Sequence, residues 1–277
     1  MTNVENKSII TITYCECSEN HVGMEKNGLL ATTGFSLEDL LNAMKESENR
    51  GLKADLYGLH LYIEEPLESE IAWVLVIRGA LSNITGKDSE TAYEKLNNLT
   101  WDDKYYDVRR KRVLNKRART NICIGETSQK ANFEEKKGTI YSFSEIPVLE
   151  TIRAALPQFL GDKAKNMLAE GNCYTDGGIK NTGIGYHGDS ERKRVVGVRF
   201  GPKGLPQPSL YYRWYQNSKV ISGDLEIPLF TGDIYIMSEK AVGTDWRKRV
   251  NHETKKPLRT LRHATGAPKY VSPKIKG

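Results

Sequence analysis

The chain has 277 residues, a net charge of +6, and 38% hydrophobic against 27% charged residues, which suits a globular protein with a sizeable core. No stretch approaches the ~18 consecutive apolar residues of a membrane span, and the N-terminus lacks the basic-then-apolar order of a secretory leader. An intracellular, non-secreted protein with no membrane partner is therefore expected, its Cys15, Cys17, Cys123 and Cys173 present as reduced thiols rather than as a disulfide scaffold. Cys15-x-Cys17 has no second Cys/His pair at zinc spacing to accompany it.

In chain order, residues 8–14 alternate β-branched side chains and predict an opening strand. The loop that follows carries His21, read as a surface or hydrogen-bonding residue. Ser36 and Asp39 predict a capping-box start for a helix over 37–48, with Leu37, Leu40, Leu41 and Met44 on one apolar face. Residues 55–63 and 72–78 read as strands, with His60 half-buried in the first, and 89–99 as a short helix. Residues 1–100 thus predict a small α/β unit of unassigned role, ahead of a second domain over 101–277.

Residues 109–119 hold seven Lys/Arg and no acid, and a second basic stretch covers 247–262. Such runs suit a polyanion such as nucleic acid. With Trp101, Tyr105 and Tyr106 just ahead of the first, they also match surfaces that bind single strands or flipped bases. A solvated face is the plain alternative. Residues 138–144 predict a strand, and Pro147 starts a helix bearing Val148, Leu149, Ile152, Leu156 and Phe159, stopped before Gly161. A second short helix is read over 164–169. Beyond it, short strands broken by Gly and Pro (172–175, 183–187, 194–200, 209–216, 224–230, 233–237 and 258–263) predict a jelly roll.

Within this region His187-Gly188-Asp189 follows glycine-rich sequence. Side chains two apart on a strand share a face. An imidazole and a carboxylate so placed, joined by a second imidazole, would make the facial triad of a non-haem Fe(II) oxygenase.

The surrounding residues resemble the AlkB family of Fe(II)/2-oxoglutarate dioxygenases, in particular members from large DNA viruses. The likeness covers residues 138–266. It rests on Asn172-Cys-Tyr174 followed by Asp176-Gly177, on His187-x-Asp189, on Phe200-Gly201, on the aromatic strand Tyr211–Tyr215, on Gly232-Asp233 and on Thr260-x-Arg262. The resemblance implies a mixed α/β chain with a double-stranded β-helix (jelly-roll) catalytic domain and flanking helices. It implies Fe(II), 2-oxoglutarate and O2, with hydroxylation of a C–H, most often on an N-methylated nucleobase that then loses formaldehyde. His187 and Asp189 would hold the metal, Asn172 and Tyr174 would hydrogen-bond 2-oxoglutarate, and Arg262 would pair with one of its carboxylates. Lys256 stands where the family has a further arginine.

The third ligand departs from the pattern, and three candidates stay open: His252, His263, and a carboxylate such as Asp245 or no ligand at all. If it is His263, Arg262 points to the opposite face and Arg259 has to replace it. Two other functions also stay open. One is the same chemistry on a protein side chain or small molecule; the other is a catalytically degenerate member that binds nucleic acid.

Overall fold

The computed structural model describes residues 8–86, 89–202, 204–250 and 257–272. Strands β1 (Ile9–Cys15), β2 (Cys17–Glu19) and β3 (Lys26–Gly28) are followed by helix α1 (Leu37–Asn49), β4 (Ala54–Gly58) and β5 (Trp73–Ile77). Helices α2 (Ala80–Thr85) and α3 (Ser89–Asn97) lead to β6 (Lys104–Asp107), β7 (Arg112–Asn115), β8 (Thr120–Gly125) and β9 (Ile140–Ser142). Helix α4 (Pro147–Leu160) precedes β10 (Leu168–Tyr174), β11 (Gly183–His187), β12 (Val195–Phe200) and β13 (Leu210–Gln216). Then come β14 (Lys219–Val220), β15 (Leu225–Ile227), β16 (Ile234–Met237), α5 (Glu239–Val242), β17 (Arg259–Gly266) and α6 (Pro268–Val271).

The protein is mixed α/β, with a curled, partly open sheet and flanking helices. Its large sheet has eight strands in the order β4-β5-β16-β12-β1-β10-β8-β9, and a five-stranded sheet runs β11-β17-β13-β14 with β15 on β13. The N-terminal strand β1 lies in the middle of the large sheet, antiparallel to β10 on one side and β12 on the other. Strands from 1–100 and from 101–277 are thus interleaved, and the expected boundary at residue 100 does not separate two sheets. Local sequence could not show this, because the pairing joins residues about 150–190 positions apart.

Alternation along the strands assigns the two faces of the large sheet. Ile10, Ile12 and Tyr14, Val196, Val198 and Phe200, and Ile234 and Ile236 pack with Leu40, Leu149, Ile152 and Leu156 of the helices. Burial of such side chains contributes roughly 1.5–3 kcal/mol each. The other face carries Thr11, Thr13, Glu170, Asn172, Tyr174, Arg199 and Tyr235, which line a cavity of ≈ 260 Å³. Beyond the cavity a second core of Val74, Val76, Tyr212, Trp214, Ile227 and Leu261 fills the space between the sheets.

Helix α1 begins with the expected capping box, Ser36 Oγ accepting from the Asp39 N–H and Asp39 accepting from the Ser36 N–H. Its buried face is Leu40, Ala43 and Ser47, while Leu41 points to solvent. Helix α4 runs as predicted from Pro147 to the stop at Gly161. The helix read over 164–169 is not formed. A 3-10 turn spans Gly161–Ala164, and β10 already starts at Leu168 because both its edges are claimed, by β1 and by β8. Residues 55–63 also divide, with His60 buried in a 3-10 turn (Leu59–Tyr62) and its Nδ1 3.2 Å from the Ala72 carbonyl oxygen. All four cysteines are free and buried. No helix among the described residues is long and apolar enough to cross a membrane.

Candidate metal centre

His187 closes β11, and β11 pairs with β17 so that His187 and His263 stand directly opposite each other. Asp189 follows two residues on, its N–H donating to the Val242 carbonyl at 3.1 Å. Gly188 makes this approach possible. A Cβ there would sit 2.0 Å from the Gly243 carbonyl oxygen, and one on Gly243 (φ +74) would sit 2.6 Å from that of Leu261. Two facing glycines thus let the end of β11, the end of α5 and strand β17 converge. One potential ligand atom from each of His187, Asp189 and His263 falls within a mutual 4.8 Å.

The tautomers suit a metal. His187 Nδ1 lies 2.8 Å from the Gly185 carbonyl oxygen, which leaves Nε2 facing Asp189 Oδ1 at 3.5 Å. The His263 ring hydrogen-bonds the Val242 backbone, and its Nε2 is buried without any hydrogen-bond partner, 3.9 Å from the same Asp189 oxygen. Imidazoles that tie one nitrogen to a carbonyl and leave the other free are preset as ligands. Burial, with the neighbouring His187 adding to it, lowers the His263 pKa to about 3, so its ring stays neutral near pH 7. Burial alone would raise the Asp189 pKa. Arg192, 3.6 Å away, and then His187 outweigh burial and hold this carboxyl ionised well below the usual range. The residues present therefore fit a divalent metal, and the orphaned Nε2 of His263 is the observation that tests it.

Behind the triad, Arg192 is buried and donates to Glu170 Oε2 at 2.5 Å and Glu191 Oε1 at 2.7 Å. Asn172 does not face the cavity freely. Its Oδ1 accepts from Arg119 Nε and Asn121 Nδ2, both at 2.5 Å, so it holds Arg119 in the wall. Tyr174 lines the cavity, with its hydroxyl pKa pushed far up by burial. Asp176 caps the glycine-rich loop into β11, accepting from the N–H groups of Gly178 and Asn181 and from the Thr182 hydroxyl.

Other predicted site residues lie elsewhere. Arg262, expected to face the interior with Thr260, is on the outer face of β17, its guanidinium 4.0 Å above the Tyr215 ring and 3.4 Å from the Trp246 carbonyl oxygen. Strand parity dictates this, since His263 faces in. Arg259 cannot replace it, because Glu70 holds it at 2.5 Å and the Glu64 and Glu65 carbonyls take its other donors. Asp245 is paired with Lys240 Nζ at 2.7 Å and takes no part in the triad. His252 and Lys256 lie outside the described residues.

The basic run 109–119 divides. Arg109, Arg110, Lys111 and Arg112 are exposed at the turn between β6 and β7, whereas Lys116 turns inward and donates to Asn20 Oδ1 at 2.6 Å. His21 stacks on Tyr105 of this hairpin with ring centroids 3.7 Å apart, and it also lines the cavity. Burial lowers the His21 pKa to about 4; the Val22 carbonyl opposes it, and the charges of Lys116 and Arg119 add to the lowering. Between pH ~6.5 and 4 the unfolded chain then binds more protons at this residue, so stability falls as pH drops through that window. His21→Phe keeps the stack and removes the titration. Thermal midpoints measured from pH 7 to 4 should decline less steeply in the variant, and equal slopes would refute the burial of this ring.

The sequence reading missed Arg199, Thr11 and Tyr235. Arg199 had a visible signal, a cation inside the apolar run Val195–Phe200, since arginine is almost never fully buried unpaired.

No protein-family model matches the chain. It is 43% identical over 270 residues to an uncharacterized protein of Acanthamoeba polyphaga mimivirus, covering 96% of this chain and 99% of that one. The chain belongs to that protein's family. Family membership brings no activity with it, so the chemistry has to come from the site. A cluster of two histidines and one aspartate beside a cavity, in a curled sheet, can hold a metal ion and is consistent with an Fe(II)/2-oxoglutarate-oxygenase-like centre.

Proposed function

We propose that the chain is an Fe(II)- and 2-oxoglutarate-dependent dioxygenase of AlkB type, built on a jelly roll, with His187, Asp189 and His263 as its metal ligands. The observation that carries the reading is the triad itself, two imidazoles on paired strands and a carboxylate two residues on, each with a ligand atom turned to one point at the cavity. His187, Asp189 and His263 would hold the metal, and a centre with three protein ligands would still accept cosubstrate and O2. Iron with 2-oxoglutarate supplies oxidative hydroxylation of a C–H when bound, coupled to release of succinate and CO2. The protein orients and protects: Gly185 and Val242 fix the imidazole tautomers, Arg192 keeps Asp189 ionised, and the sheet wall shields the cavity.

The substrate in this reading is an N-methylated nucleobase. Supporting it are the exposed cations of the β6–β7 turn and the His21–Tyr105 stack that joins this hairpin to the cavity. Phosphate contacts of this kind weaken as salt rises, and a base has to leave its stack to enter the cavity.

With Fe(II) loaded anaerobically and air then admitted, the protein should convert 2-oxoglutarate to succinate. An N-methylated single-stranded oligonucleotide should speed this, less so at high salt, and His187→Ala should not turn over. Absence of succinate from the wild type would sink the enzyme reading. Succinate with no response to any oligonucleotide would leave a hydroxylase of protein or small molecules instead.

A further inference from the structure

We infer that Arg199 anchors the remote carboxylate of a dicarboxylate co-ligand in the cavity, where the family resemblance implied that Arg262 would pair with a 2-oxoglutarate carboxylate. The inference rests on the oxygenase reading and names which side chain of this protein serves it.

Arg199 lies on β12, with Val195 and Gly197 on the same face, and it is 1% exposed. Its Nε and Nη1 are buried without a hydrogen-bond partner. Its register partner on β1 is Thr11, whose Oγ1 is likewise buried and unpartnered. Tyr174 and Tyr235 stand close enough for its charge to act on their hydroxyls. Tyr235 reaches the position by lying over Gly197, where a Cβ would be 2.0 Å from its ring. All four residues line the cavity that also holds His187, Asp189 and His263. An uncompensated buried cation is strongly unfavourable. Two free guanidinium N–H donors beside a free hydroxyl fit a carboxylate, which can accept a forked pair.

The other arginines of the cavity wall are paired or less buried. Arg192 is bound by Glu170 and Glu191, Arg119 by Asn172, and Arg247 is exposed above the Trp246 ring. Among the described residues Arg199 is the cavity arginine whose guanidinium is both buried and unpartnered. On β17 the inward place is taken by His263, with Arg262 turned outward, whereas β12 presents Arg199 beside Thr11 of β1 on the cavity face. The ligand class is a dicarboxylate, one end at the metal and the other at Arg199.

The test is calorimetric binding of 2-oxoglutarate to the Mn(II)-loaded full chain, which needs no turnover. Arg199→Met should bind Mn(II) as the wild type does and lose 2-oxoglutarate affinity by roughly 10- to 100-fold, the loss typical of a charged hydrogen-bonding partner. Arg199→Lys should fall between the two. Pyruvate, which lacks the remote carboxylate, should bind wild type and Arg199→Met alike, and Arg262→Met should bind 2-oxoglutarate like wild type. Without ligand, Arg199→Met should melt no lower than wild type, because it removes a charge that has no partner. Unchanged 2-oxoglutarate binding in Arg199→Met, a loss in Arg262→Met, or failure of Arg199→Met to fold would overturn the assignment and leave the oxygenase reading standing. Failure of wild type to bind Mn(II) would overturn both.

Discussion

His263→Ala is expected to abolish stoichiometric metal binding, and His252→Ala to leave it intact. The described residues already supply two imidazoles and a carboxylate within 4.8 Å of one another, and His263 brings to that group a buried Nε2 with nothing else to bond. Losing a partner that merely orients a ligand typically costs 10- to 100-fold in metal affinity. Losing the ligand itself should exceed that, and the same holds for His187→Ala and Asp189→Ala. The measurement is metal content and Mn(II) affinity of each purified variant, with circular dichroism confirming the fold. Metal bound by His263→Ala but not by His252→Ala would transfer the third position to His252.

How far the sequence carried this site depends on the range of the interactions involved. His187 and Asp189 were legible because two residues on one strand end share a face whatever the tertiary structure. Their third partner was not, because it comes from β17, about 75 positions away, and the β11–β17 register decides it. Once His263 faces inward, parity turns Arg262 outward, so both assignments could not hold together. The helix over α4 was readable from Pro147 and its apolar spacing, for its face packs regardless of which strand lies beneath. The segment 164–169 was not. Only Leu168 and Ala169 of it belong to β10, too few to show an alternation, and the pairing of β10 with β1 and β8 is long-range. The placing of β1 at the centre of the large sheet is a matter of topology alone, and no local pattern encodes it.

Gly188→Ala is expected to damage the centre more than its size suggests. The histidine and aspartate of a His-x-Asp pair carry the chemistry, and here the residue between them carries the geometry. A methyl group at position 188 would meet the Gly243 carbonyl oxygen at 2.0 Å and its carbonyl carbon at 2.7 Å. Both are backbone atoms, so no rotamer change relieves the overlap. Gly243 in turn is pressed against the Leu261 carbonyl, two residues from His263. The overlap therefore has to push β11 and β17 apart, or break the Asp189 N–H bond to Val242 that fixes the carboxylate. Overpacking of this kind costs ~1–3 kcal/mol, and backbone partners place it at the upper end. A displacement of about 1 Å at a reacting centre can lower turnover on the order of 100-fold. Gly188→Ala should thus melt several degrees below wild type, bind metal weakly and produce little succinate, although every ligand is retained. A control at the exposed Gly223, where an added Cβ meets nothing within 4 Å, should leave all three unchanged. If Gly188→Ala binds metal and melts like wild type, the close contact of Gly188 with Gly243 does not set the spacing of the triad.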